Sequence, residues 1–204
     1  MKEIQKQYEI VEEFDATVGQ EALWIAHQME LEKGMNNEPI IIKLKGSLQI
    51  ETLRKALTLI VQSHPALRTL FIKRDEKIKQ FIQKSIDFDT PIKDLTAFKN
   101  TKQKFIFKKF LDSIVNEKFN LEEGPLFKFH IIKLCEDEFI LHMIFHHIIY
   151  DGCSLGIFIQ QLSRTYCELL QENTGLVLES PYKSLVEFEE GFIDSAIYRE
   201  GSSY

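Results

Sequence analysis

The chain has 204 residues, 44% of them hydrophobic and 27% charged, with a net charge of −6 at neutral pH. That length and balance fit a folded domain with a substantial core. The negative balance argues against a general nucleic-acid binder, which needs an excess of Lys and Arg to track phosphates. No run approaches the ~18 consecutive apolar residues that span a bilayer.

From the N-terminus, MKEIQKQYEIVEEF alternates charged and apolar residues and lacks the apolar block of a secretion signal. Thr17 to Gln20 has capping-box spacing, and Leu23, Trp24, His27 and Leu31 then share one face of a helix expected to end near Gly34. Residues 39–46, PIIIKLKG, alternate as a strand. Ser47 is placed to cap a helix whose Leu53, Ala56, Leu57, Ile60 and Val61 form a stripe, and Pro65 ends it. RTLFIKRDEKIKQFIQ reads as a hairpin turning near Asp75 and Glu76.

Residues 101–117 form a helix whose Lys102, Lys104, Lys108 and Lys109 read as a solvated face. The strongest strand signal follows, PLFKFHIIKL and FILHMIFHH, a hairpin folded at CEDE, with the second run apolar enough for a central strand. After DGCS, Leu155, Phe158, Ile159 and Leu162 recur at helical spacing, with Ser154 as the cap. A looser stretch leads to a last acidic helix near 184–198. The order of elements predicts an α/β (α+β) two-layer sandwich, its sheet mixed, mostly antiparallel and covered by helices. Cys135, Cys153 and Cys167 are odd in number and irregularly spaced. They point to reduced thiols in the cytoplasm.

The chemistry concentrates at FHHIIYDG, residues 145–152. Alternation puts His142, Ile144 and His146 on one side of the strand and Met143, Phe145 and His147 on the other. One imidazole of the pair can then enter a cleft while the other is packed. Asp151 lies beyond the strand's end, and Gly152 would permit a backbone shape or close approach that a Cβ blocks. A strand, a tight loop and a helix N-terminus can hold a reactive imidazole rigidly beside backbone amides. A metal held by His142, His146 and Asp151, or a nucleophilic Cys153–His147 pair, are the rival readings.

Three stretches resemble, in order, the signatures of the condensation domain of non-ribosomal peptide synthetases. TVGQEALW (17–24) is similar to Ser/Thr-x-Ala-Gln-x-Arg-Leu-Trp. SHPALRTLF (63–71) is similar to Arg-His-x-x-Leu-Arg-Thr-x-Phe. FHHIIYDGCS (145–154) carries His-His-x-x-x-Asp-Gly. Gly19, Ala22, Ser63 and Cys153 depart from the usual pattern.

The resemblance implies a lobe similar to chloramphenicol acetyltransferase, residues 1–204 forming the N-terminal lobe without the C-terminal one. It implies amide-bond formation between an acyl or peptidyl thioester and an aminoacyl thioester. Both would be delivered on the 4'-phosphopantetheine arms of donor and acceptor carrier proteins, with no cofactor bound by this chain. Carried over position by position, His147 is the catalytic residue, as general base or by positioning, and His146 is structural. Asp151 turns inward to pair with Arg68. Epimerisation, coenzyme A-dependent acyl transfer and a non-catalytic carrier-docking platform stay open as alternatives. Cyclisation domains replace the first histidine with aspartate, and His146 is present.

Overall fold

A computed structural model describes residues 8–29 and 34–170. They build two sheets. The smaller has the order β1-β4-β3, from Ile10–Asp15 (β1), Lys77–Gln83 (β4) and Thr69–Arg74 (β3). The larger has the order β2-β7-β6-β5, from Asn37–Lys45 (β2), Glu138–His146 (β7), Phe127–Cys135 (β6) and Ile92–Asp94 (β5). All pairings are antiparallel except β5 with β6. The mixed, mostly antiparallel α/β arrangement therefore agrees with the sequence expectation.

Among the described residues four α-helices accompany the sheets: α1 (Val18–Gln28), α2 (Ile50–Ser63), α3 (Asn100–Val115) and α4 (Gly152–Leu169). Thr17 and Gln20 make the expected capping box. The Thr17 hydroxyl accepts from the Gln20 amide at 3.2 Å, and the Gln20 side chain accepts from the Thr17 amide at 2.9 Å. The helix closes at Met29, earlier than the Gly34 expected. Gln49, not Ser47, is the N-cap of α2, without a side-chain cap bond. The acidic helix expected near 184–198 lies outside the described residues.

Two strands escaped the sequence reading. Apart from Ile10, β1 is exposed along its length, so it has no apolar face to read. The three residues of β5 are all exposed and join β6 in parallel.

The core lies on both faces of the larger sheet. On one face, Leu57, Ile60 and Val61 of α2 and Phe158, Ile159 and Tyr166 of α4 pack against Phe129, Leu141, Met143 and Phe145. On the other, Ile132, Ile140 and Ile144 meet apolar side chains of α3, among them Ile106, Phe107 and Ile114. From Phe139 to His146 every residue of β7 is buried. This is why its sequence reads as a continuous apolar run: a strand covered on both faces has no polar side.

Before β2, the chain runs close under the end of α3. Gly34 adopts φ +78°, and a Cβ there would lie 2.8 Å from the Asn116 Cα and the Val115 carbonyl oxygen. Asn37 fastens the same junction, its side-chain amide donating to the carbonyls of Val115 at 2.6 Å and Glu117 at 2.9 Å. We expect Gly34→Ala to destabilise the fold by more than about 1 kcal/mol, through both φ and backbone collision. Gly156, inside α4 with open space at its Cβ position, gives the opposite outcome. There, Gly156→Ala should stabilise by about 0.5–1 kcal/mol. Denaturant midpoints of the two variants check the pair.

Candidate functional site

Strand β7 stops at His146, and residues His147–Ile149 turn through one 3-10 unit before α4 begins. The strict alternation of the strand therefore ends between the two histidines, and the turn sets their separation. His146 is fully buried, at 0% exposure, whereas His147 is exposed. The main chain of His147 is pinned from β2's side, its amide donating to the Asn36 carbonyl at 2.9 Å.

The His147 ring is held by one bond, between Nδ1 and the backbone carbonyl of Tyr150 at 3.0 Å. A carbonyl only accepts, so Nδ1 must carry a proton. In the neutral ring Nε2 then holds the lone pair. Tyr150 is itself fixed, its ring stacked on Phe145 with centroids 5.0 Å apart and planes 9° from parallel. Burial pushes the Tyr150 phenol up to about 12, with Glu38 and Asp151 adding to the shift. It stays protonated at neutral pH.

His146 makes two bonds. Its Nδ1 accepts from the Ile148 amide at 3.1 Å, which caps the turn. Its Nε2 lies 3.1 Å from Nδ1 of His27, on the buried side of α1. His27 is the residue that sequence reasoning passed over. The available signal was a polar side chain inside the apolar stripe Leu23, Trp24, His27.

Burial, with His27 and His147 nearby, lowers His146 to about 3. Farther along β7, His142 faces its cross-strand partner His130, ring centroids 5.8 Å apart. Neither ring nitrogen of His142 finds a hydrogen-bond partner among the described residues. Burial first, then His130, lowers His142 to about 4. Both rings are therefore neutral in the folded chain. Among the described residues no three His, Cys, Asp or Glu side chains group as a metal would require. The rival Cys153–His147 pairing falls on a cysteine side chain outside those described.

Asp151 does not take the position expected of it. Its carboxylate is the N-cap of α4, accepting from the Ser154 amide at 2.8 Å and from the Ser154 hydroxyl. Ser154, the cap expected from sequence, is thus the residue capped. Arg68 is 9% exposed at the end of the 3-10 turn Pro65–Arg68, and its Nη1 donates to the carbonyls of Gln83 and Lys84. No ion pair joins Arg68 to Asp151 among the described residues, which corrects the inward clamp inferred from the resemblance. The physical reason is local. The unsatisfied amides of a helix start attract the carboxylate. Nη1 of the guanidinium is taken by the carbonyls of Gln83 and Lys84, while its buried Nε finds no hydrogen-bond partner among the described residues.

Gly152 also differs from expectation. It opens α4 without a left-handed φ, and a Cβ there would meet nothing within 4 Å. Neither its backbone nor its neighbours within the described residues require glycine.

The unfolded chain, with ordinary histidines near 6.5, binds more protons than the folded one, whose His142 and His146 sit at about 4 and about 3. Their contribution to stability is complete above pH 6.5 and is lost as pH falls toward 4 and 3. His142→Phe should flatten that acid slope, read as the change in denaturant midpoint between pH 7 and pH 5. Separately, Asp151→Ala should cost about 0.5–2 kcal/mol as a lost cap. Arg68→Ala should cost about 1–3 kcal/mol through its stranded carbonyls. A double-mutant cycle should find a coupling below about 0.5 kcal/mol between them.

Comparison with known proteins places this geometry in a family. Residues 11–204 match the family model for the condensation domain. Bacitracin synthase 3 of Bacillus licheniformis is 31% identical over 173 residues, 85% of this chain and 2% of that protein. Surfactin synthase subunit 1 of Bacillus subtilis (strain 168) is 28% identical over 184 residues, 89% of this chain and 5% of that protein. Among solved structures, the starter condensation domain of rhizomide synthetase RzmA superposes with a TM-score of 0.73 at 21% identity. That likeness covers 91% of this chain and 47% of that one. The first condensation domain of the CDA synthetase gives 0.71 at 18% identity, covering 93% and 47%. This chain thus spans about half the length of the solved chains and a few per cent of the curated relatives. The family model covers nearly the whole chain, from residue 11 to residue 204: the chain belongs to the condensation-domain family.

Proposed function

We propose that this chain is the histidine-bearing N-terminal lobe of a cytoplasmic non-ribosomal peptide synthetase condensation domain, an acyltransferase forming amide bonds. The donor is an acyl or peptidyl thioester and the acceptor an aminoacyl thioester. Each arrives on the 4'-phosphopantetheine arm of its own carrier protein, and a C-terminal lobe of the same domain supplies the opposite wall of the site. The observation that carries this reading is the exposed His147 ring, with Nδ1 bound to the Tyr150 carbonyl and Nε2 left with its lone pair.

That tautomer favours proton acceptance over donation. The acceptor's amine nitrogen attacks the donor's thioester carbon, a C–N bond forms, and the carbonyl oxygen becomes an oxyanion. His147 Nε2 takes the proton that the nitrogen sheds. Collapse of the intermediate restores C=O and breaks the C–S bond, and the proton passes to the leaving sulfur, which departs as the free pantetheine thiol. General base help of this kind contributes roughly 10²–10⁴-fold. Holding two tethered reactants together can contribute more, with effective molarities of ~10⁵ M or above.

A lobe with one wall of the site should give no turnover alone. Mixed with its C-terminal half and two loaded carriers, it should yield an amide product detectable by mass spectrometry. His147→Ala should lower the rate by roughly 10²–10⁴-fold. Product formation unchanged by that substitution would remove the catalytic assignment, and no product with wild-type chain would favour a docking platform.

A further inference from the structure

The bond network behind His147 has a direction that chemistry fixes. The Ile148 backbone amide can only donate, so the Nδ1 of His146 at 3.1 Å must accept. A neutral imidazole carries one proton, which then belongs to Nε2. That N–H points at Nδ1 of His27, 3.1 Å away, so the His27 nitrogen must be the acceptor. His27 comes from α1, 119 residues earlier in the chain, and it is 4% exposed. Its ring stands edge-on to that of His146, with centroids 4.9 Å apart and planes at 72°, and Phe119 closes His146 from another side at 6.1 Å. The backbone of His27 is tied as well, its carbonyl accepting from Lys118 at 3.1 Å.

A histidine with Nδ1 protonated could not accept from Ile148. The turn would then lose its cap, and the residue it displaces first is His147. We propose that His27 is a positioning residue for the condensation reaction: by accepting the Nε2 proton of His146 it selects the tautomer that holds the Ile148 amide and, through that turn, the orientation of His147. The proposal rests on reading His147 as the reacting imidazole, but the tautomer lock can be measured without any reaction. Two ordered bonds in series explain why a buried histidine stands at the end of β7, where an apolar residue would pack as well but could not cap the turn.

The test uses the chain labelled with ¹⁵N. Long-range proton–nitrogen spectra report which ring nitrogen of His146 is protonated, and amide exchange reports the Ile148 bond. Wild type should show the Nε2-protonated form and a slowly exchanging Ile148 amide. His27→Leu should mix the tautomers and speed Ile148 exchange at least tenfold. His27→Asn should restore both, because Asn Oδ1 sits at the same bond separation from Cβ as His Nδ1 and accepts. Amides of Leu57 and Ile60 in α2 serve as the control for global folding. An unaltered His146 signature in His27→Leu would overturn the proposal. So would Nδ1 protonation of His146 in the wild type, which decides the matter even if the leucine variant fails to fold.

In the two-lobe assay, His27→Leu should lower kcat at least tenfold with KM unchanged, and His27→Asn should recover it. Unchanged kcat in His27→Leu, alongside a large loss in His147→Ala, would overturn the positioning role alone. Unchanged kcat in His147→Ala would instead defeat the underlying functional reading, and the spectra would still decide the tautomer lock.

Discussion

A buried imidazole offers two ring nitrogens of opposite character, and His146 satisfies both at the point where the central strand ends. One nitrogen receives the Ile148 amide and the other meets His27. An unsatisfied group there would cost about 1–3 kcal/mol. The turn after β7 is consequently tied to α1 as well as to its own strand. His147 stands on that turn, and its ring direction follows from how firmly the turn is held.

The surrounding fold serves the same end. β7 lies between β2 and β6 and is buried on both faces, so its terminus is among the most constrained points in the described fold. β2 contributes through the chain just before it, where the Asn36 carbonyl receives the His147 amide. Tyr150, stacked on Phe145, presents the carbonyl that holds the His147 ring. His147 thus takes its orientation from the main-chain carbonyls of Asn36 and Tyr150, with no carboxylate bonded to its ring among the described residues. In this it differs from the familiar triad, where an acidic side chain orients the base.

Much of this was legible in the sequence. Thr17 and Gln20 announced the start of α1 because a capping box is a local exchange of bonds. β6, β7 and α4 were readable because their apolar spacing matches the faces they bury. The buried and exposed assignments of His146 and His147 agree with the structure, although a turn and not strand alternation separates them. The departures have two causes. β1 and β5 hide because an exposed edge strand has no apolar period, and its existence depends on a partner far along the chain. Asp151 and Arg68 each have more than one possible partner, and a motif names residue types without saying which bond prevails. The helix start and the end of β4 prevailed.

By itself, the sequence determined the local elements with an apolar period, the family to which they belong and the identity of the exposed histidine, since each is written in neighbouring residues or in a short motif. Tertiary structure alone decided that His27 meets His146 and that Arg68 faces the carbonyls of Gln83 and Lys84. These are contacts between groups whose partners are chosen by the packing of distant segments. A hydrogen bond across 119 positions leaves no periodicity in the chain, only a polar residue in an apolar stripe, and its meaning appears when the helix is laid against the sheet.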